Sequence, residues 1–114
     1  MKKTIIGFKE YVTILGKNKT RRVIARIDTG ATKSSIDVWL AESLGLGPVV
    51  MYKSVRSATG RSIRGMILVR VKIKDRTFKV FFTLADRKHM NYQVLIGRNI
   101  LKRGFIVDSA RKLG

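Results

Sequence analysis

Only seven carboxylates stand among 114 residues that carry 25 lysines and arginines, so each can be weighed singly as an acid or a base. Asp28 stands out because Thr29 and Gly30 follow it and the apolar run Val23 to Ile27 leads into it. A D-(T/S)-G triplet arises by chance in about one chain in twenty of this length, so the triplet alone decides nothing. Its setting carries the weight. A reactive aspartate has to sit at the end of a rigid strand, and a hydroxyl one residue later can make a buried hydrogen bond. Glycine then lets the backbone turn sharply and be approached closely by another chain. Val94-Leu95-Ile96-Gly97-Arg98-Asn99 is the second candidate, since buried aliphatics running into a glycine suit a strand packed beneath such a loop. Taken alone, that segment reads more simply as an ordinary core strand ending in a turn.

The residue inventory excludes several other chemistries. There is no cysteine, which removes disulfide scaffolds, thiolate nucleophiles and cysteine-ligated zinc. His89 is the single histidine, so a nitrogen/sulfur zinc site lacks ligands, and it reads as a polar loop residue between Lys88 and Met90. No Gly-x-x-x-x-Gly-Lys-(Ser/Thr) phosphate loop occurs. The expectation is therefore a protein with no metal and no cofactor. Met1-Lys2-Lys3 opens the chain, but Lys9 and Glu10 interrupt the apolar stretch that follows. It is too short for a signal-peptide core, and no span is long enough for a membrane helix. A cytoplasmic protein without membrane attachment is expected.

The elements that must position Asp28 read as strands. Apolar and polar residues alternate over Ile67 to Lys74, which turns Val69, Val71 and Ile73 inward and Arg70, Lys72 and Lys74 outward. Lys74-Asp75-Arg76 reads as a tight turn into a strand over Thr77 to Leu84. Tyr11 to Leu15 and Arg22 to Ile27 form an earlier pair across Gly16-Lys17-Asn18-Lys19. Asp37 can cap a short helix through Trp39, Leu40 and Leu44 that stops at Gly45, with Trp39 in the core or at its rim. A second short helix is expected from Arg98 to Gly104, followed by a strand from Phe105 to Asp108. Between Val55 and Met66, the segment Ser57-Ala58-Thr59-Gly60-Arg61-Ser62 reads as the tip of a long hairpin, either a plain surface turn or a cover over a cleft. One mainly β domain over residues 1–114, with one or two short helices, is the expected organisation. Asp75, Asp86 and Asp108 fall in the hairpin turn, a loop and the last strand, and Asp37 in the helix cap.

Asp28-Thr29-Gly30-Ala31 early, a glycine-tipped hairpin in the middle and Leu95-Ile96-Gly97-Arg98-Asn99-Ile100-Leu101 late resemble the retropepsin family in order and spacing. Ile6 to Val12, Asp28 to Ser35 and Gly97 to Asp108 are similar to one cellular branch of it, whose members carry the label ATP-dependent zinc protease. Some of those are linked to trimming glutamate tails added to a ribosomal protein. The resemblance implies a closed β-barrel of the acid-protease type, one lobe per chain, with Asp28 catalytic. It implies that Thr29, Gly30, Ala31, Ile96 and Gly97 support the active-site loop. Ala58, Thr59, Gly60 and Arg61 would form a flap over a polypeptide substrate. Aspartic peptidases need two carboxylates sharing one proton, and no second such triplet exists here. A homodimer is the implied active form, and strands near both termini are implied to join its contact. Viral retropepsins place an acidic residue where Thr32 stands, so Arg98 loses that partner and is expected to meet Asp37, Asp108 or substrate.

The charge of +18 speaks of partners rather than fold. Lys33, Arg56, Arg61 and Arg64 fall beside Asp28 or on the flap, which would favour acidic peptides. The bland alternative is solvated loop charge. A basic, β-rich nucleic-acid- or ribosome-binding module is the rival reading. It explains the charge directly but leaves the Asp28 motif unexplained, and Phe78, Phe81 and Phe82 read more simply as core or interface residues than as a stacking platform. A peptidase-like dimer without turnover is the third reading.

Overall fold

A computed structural model describes residues 2–58 and 60–113, with Ser57 described in its backbone only. The strands are β1 (Thr4–Ile6), β2 (Lys9–Leu15), β3 (Thr20–Ile27), β4 (Ser34–Asp37), β5 (Met51–Ser57), β6 (Gly60–Ile73), β7 (Arg76–Ala85), β8 (Val94–Ile96) and β9 (Phe105–Val107). The helices are α1 (Val38–Ser43), between β4 and β5, and α2 (Arg98–Leu101), between β8 and β9. Hydrogen bonding runs in the order β2-β3-β8-β4-β7-β6-β5, and pairing of β2 with β6 closes the first six of these into a barrel. The mainly β barrel with two short helices is thus the architecture expected from the sequence.

Alternation along the strands builds the core. Val69, Val71 and Ile73 of β6 are fully buried, and Val12, Ile14, Ala25, Ile36, Phe82, Val94 and Ile96 meet them inside the barrel. Burying each such aliphatic stabilises the fold by about 1.5–3 kcal/mol relative to exposure. Outward positions on β2, β3, β6 and β7 carry the lysines and arginines. Lys74, at φ 58, closes the β6–β7 turn. Its ammonium makes the only salt bridge among the described residues, to Glu10 at 3.3 Å.

Asp37 caps α1 as expected, accepting from the Leu40 backbone N–H at 3.1 Å. The same carboxylate accepts from the Arg87 backbone N–H at 2.8 Å, tying the loop after β7 to the helix start. Gly45 ends the helix with φ 66, a conformation that glycine adopts without a Cβ clash. Trp39 is neither core nor rim. It is 56 % exposed, because Leu40, Ala41 and Leu44 supply the buried side of this short helix.

β5 and β6 form the expected hairpin, with Ser57 opposite Gly60 across its tip. β6 continues without a break from that tip into the barrel, so the hairpin is an extension of a barrel strand. β1 and β9, near the two ends of the chain, pair in parallel, Ile5 opposite Ile106, and both isoleucines are about half exposed.

Candidate active site

Asp28 follows β3 directly. Ile27 pairs with Ile96 in the parallel β3–β8 ladder, and the Asp28 backbone N–H donates to Ile96 O at 2.9 Å. The strand therefore holds the residue's backbone from both neighbours. The Gly30 N–H donates to Asp28 Oδ1 at 2.9 Å, which orients the carboxylate over its own loop. Asp28 is partly exposed, and Thr29 and Gly30 are exposed.

The loop from Thr29 to Lys33 is clasped by the start of α2. Arg98 N–H donates to Ala31 O at 2.8 Å and Asn99 N–H to Thr32 O at 3.2 Å. A side chain on Gly97 would place its Cβ 2.3 Å from Lys33 O and 2.9 Å from Ala31 O, so only glycine permits this approach. Buried Ser34 locks the two segments together. Its Oγ accepts from Gly97 N–H at 3.0 Å and donates to Asn99 Oδ1 at 2.7 Å. Asn99 in turn donates from Nδ2 to Phe81 O at 3.0 Å, which anchors the clasp to β7.

Arg98 meets neither Asp37 nor Asp108. It donates from Nη1 to Thr29 O and from Nη2 to Thr32 Oγ1, both at 3.2 Å. The threonine that replaces the viral acid thus keeps the arginine as a neutral acceptor. Asp37 is already used by Leu40 and Arg87, and Asp108 accepts from Ala110 N–H at 3.0 Å.

A cleft of about 630 Å³ opens beside this loop. Gly30, Ala31, Thr32, Lys33 and Ser35 form one wall, Lys53 to Arg56 and Arg64 of the hairpin form the other, and Thr83, Arg87 and Leu95 line it as well. Five cations and no carboxylate line it among the described residues. Asp28 borders two neighbouring hollows of about 320 and 510 Å³. Arg87 and Leu95 line both the larger of these and the cleft.

Arg87 is the residue that sequence reasoning missed. It is 8 % exposed and donates from Nε to Tyr92 O at 2.9 Å. Burial holds its guanidinium below the usual arginine range. Arg64 adds repulsion in the same direction, with a smaller part from Arg26, and Asp37 and Asp28 oppose it. Ser35 was also missed as a cleft residue. Its hydroxyl is buried in the cleft wall and has no hydrogen-bond partner among the described residues.

Of the other residues singled out from sequence, Ala31 and Lys33 line the cleft and Ile96 and Gly97 underpin the loop. Ala58, Gly60 and Arg61 do not line the cleft; the hairpin contributes Lys53 to Arg56 and Arg64 instead. Arg61 folds back along the hairpin to Ser54 Oγ at 3.3 Å. Thr59 lies outside the described residues.

The fold is shared with solved structures. A Legionella pneumophila protein of unknown function (DUF785) superposes with a TM-score of 0.68 at 22 % identity, covering 96 % of each chain. The EIAV protease, complexed with the inhibitor HBY-793, superposes with a TM-score of 0.67 at 22 % identity over 82 % of this chain and 84 % of its own. No curated protein matches the sequence. The family model for the RimB-like proteins, described as the retropepsin-like aspartic endopeptidase RimB, matches residues 41–113. That stretch begins after Asp28, while the β5–β6 hairpin, β8 and α2 fall inside the match. The chain belongs to the RimB-like family of retropepsin-like aspartic endopeptidases.

Proposed function

We infer that the protein is an aspartic endopeptidase whose active unit is a homodimer of 114-residue lobes, each giving Asp28 to a shared dyad. The observation that carries this reading is the Asp28 carboxylate at the end of β3, held by Gly30 N–H and braced from below by β8. No second Asp-Thr/Ser-Gly triplet occurs in the chain to pair with it, and the other aspartates stand in different settings. Asp37 is buried in the α1 cap, Asp86 accepts from Lys88 N–H, Asp108 accepts from Ala110 N–H, and Asp75 sits in the β6–β7 turn. The second carboxylate then comes from a two-fold related copy, the isologous arrangement common among homodimers.

Two carboxylates a few ångström apart share one proton, because both cannot ionise comfortably. The ionised member takes a proton from a water held between them, and the protonated member donates to the scissile carbonyl. Gly30, exposed beside the carboxylate, offers backbone to an extended substrate. Thr29, equally exposed, would bond across the two-fold axis of that dimer. The β5–β6 hairpin, with Ala58, Gly60 and Arg61 near its tip, closes over the peptide. Lys33, Lys53, Arg56, Arg64 and Arg87 favour acidic side chains on that peptide, since the cleft offers them cations and no competing carboxylate.

The test is cleavage of a peptide library rich in acidic sequences by the wild type and by Asp28→Asn. We expect the variant to lose at least about a thousandfold in kcat/KM, as removal of an essential acid–base group does, with its dimer mass unchanged. Retained cleavage would overturn the reading.

A further inference from the structure

The face that carries Asp28 is almost wholly of one sign. Lys9 of β2 and Arg26 of β3 stand directly opposite each other. Both are exposed, and both line a hollow that Asp28 borders. Like charges opposed in this way destabilise a sheet. The neighbouring cleft adds five more cations. Arg98, beside Thr29, is held by two neutral acceptors, so its charge stands uncompensated as well. Across the cleft and the two hollows, Asp28 is the one carboxylate in the lining among the described residues. The one salt bridge among them, Lys74 to Glu10, involves none of these cations. Within a single lobe, burial and then Arg64 and Arg26 already hold the Arg87 guanidinium below the usual arginine range.

The proposed dimer makes this sign consequential. A two-fold axis that brings Asp28 beside its mate also brings the rim of its hollow towards the partner's rim. In an isologous contact the same patch serves both sides, so a cation can be matched only by an anion on that same patch. Here the patch offers Asp28 alone, and the two copies of that carboxylate share a proton. Phe8, 51 % exposed in the Lys9–Arg26 hollow, gives the contact an apolar part, as do Ile5 and Ile106 of the β1–β9 pair. Against that part stands the repulsion between two lobes of +18 each.

We propose that the lobes pair weakly on their own and are drawn together by an acidic polypeptide, so that the active site assembles on its substrate. The inference rests on the dimeric reading of Asp28 and adds its regulation. A peptide threaded past the dyad lies in the clefts of both lobes at once, and its carboxylates meet the cations of both. A ligand that binds only the pair raises the paired fraction by mass action. Salt acts in the same direction, because the Debye length shrinks from about 30 Å at 0.01 M to about 8 Å at 0.15 M. Cleavage of the acidic segment removes the bridge, and the lobes separate.

The experiment measures the mass of the full chain by analytical ultracentrifugation. The wild type should pair about tenfold or more tightly near 0.5 M sodium chloride than near 0.02 M, as the charges are screened. At low salt, the Asp28→Asn chain should pair about a hundredfold more tightly when a glutamate-rich peptide is present at about a hundred times its Kd. A neutral peptide of equal length should leave it unpaired. Lys9→Gln/Arg26→Gln should pair more readily than the wild type at low salt. Lys17→Gln/Lys19→Gln, an equal charge change in the exposed turn at the other end of β3, should have a clearly smaller effect. The proposal is overturned if the wild type pairs as tightly at low salt as at high salt, an outcome that leaves the peptidase reading standing. It is also overturned if the turn pair acts as strongly as the rim pair, which would mean diffuse charge only. An RNA oligonucleotide of equal charge that pairs the lobes as well as the peptide does would overturn it too. Cleavage by a chain that stays monomeric at every salt concentration would overturn the dimeric reading and this inference with it.

Discussion

Arg87 shows how much one residue's meaning depends on its surroundings. In sequence it lies in Ala85-Asp86-Arg87-Lys88-His89, a polar stretch with nothing to separate it from other surface arginines. Folded, it is buried between the cleft and the hollow that Asp28 borders. Desolvation and Arg64 both work against its charge. A substrate carboxylate in the cleft would answer both, which makes Arg87 the sharpest test of the acidic preference. Arg87→Gln should reduce kcat/KM for a peptide with an acidic residue near the scissile bond about tenfold or more, the worth of a charged hydrogen bond. A neutral counterpart should change less than about twofold. Parallel losses on both peptides would show a structural role instead. Ser35, with its unpartnered hydroxyl in the same wall, was equally illegible, because no local pattern distinguishes a serine that faces a cleft.

Among the elements, β8 and α2 act as one clasp beneath the Asp28 loop. The run Ile96-Gly97-Arg98 was visible in the sequence as strand, glycine and helix start. The reason for the glycine was not. It lies in the closeness of Lys33 O and Ala31 O, contacts between segments more than sixty positions apart. The backbone at Gly97 is extended, with φ −104 and ψ −171, a conformation open to any residue, so the requirement is one of space. Gly97→Ala should destabilise the chain by about 1–3 kcal/mol, the usual cost of overpacking, read as a lowered urea midpoint with an unchanged m-value. Wild-type stability in the variant would mean that the loop yields without cost. The β5–β6 hairpin taught a different lesson. Its tip reads from sequence as a plain surface turn or a cover over a cleft, and the cleft wall itself is formed by Lys53 to Arg56 and Arg64 of its strands, whose facing no local pattern encodes.

At the scale of the whole molecule, the proposed enzyme is incomplete as a single lobe. The chain carries one Asp-Thr-Gly, and its other aspartates are placed elsewhere. The β1–β9 pair brings residues near both ends of the chain together with Ile5 and Ile106 exposed, a surface suited to a two-fold contact. If each site needs two copies of Asp28, mixing must poison it. Equal amounts of wild type and Asp28→Asn, allowed to exchange subunits, should show about a quarter of the activity of the same total concentration of wild type, since only wild-type pairs work. Half the activity remaining would point to a self-sufficient chain.

Strand periodicity, the Asp37 cap, the turn at Lys74-Asp75 and the strand-borne Asp28 motif were all written locally, because they depend on the spacing of apolar residues and on the chemistry of single side chains. These determined a mainly β domain with Asp28 at a strand end. Long-range contact decided the rest. The neutral Thr32 and Thr29 acceptors of Arg98, the Ser34–Gly97–Asn99 lock, the burial of Arg87 and the bare Nη1 of Arg76 join residues far apart in the chain. Which hydrogen bonds they make, and which they lack, depends on strand order and barrel closure, and no local pattern encodes either.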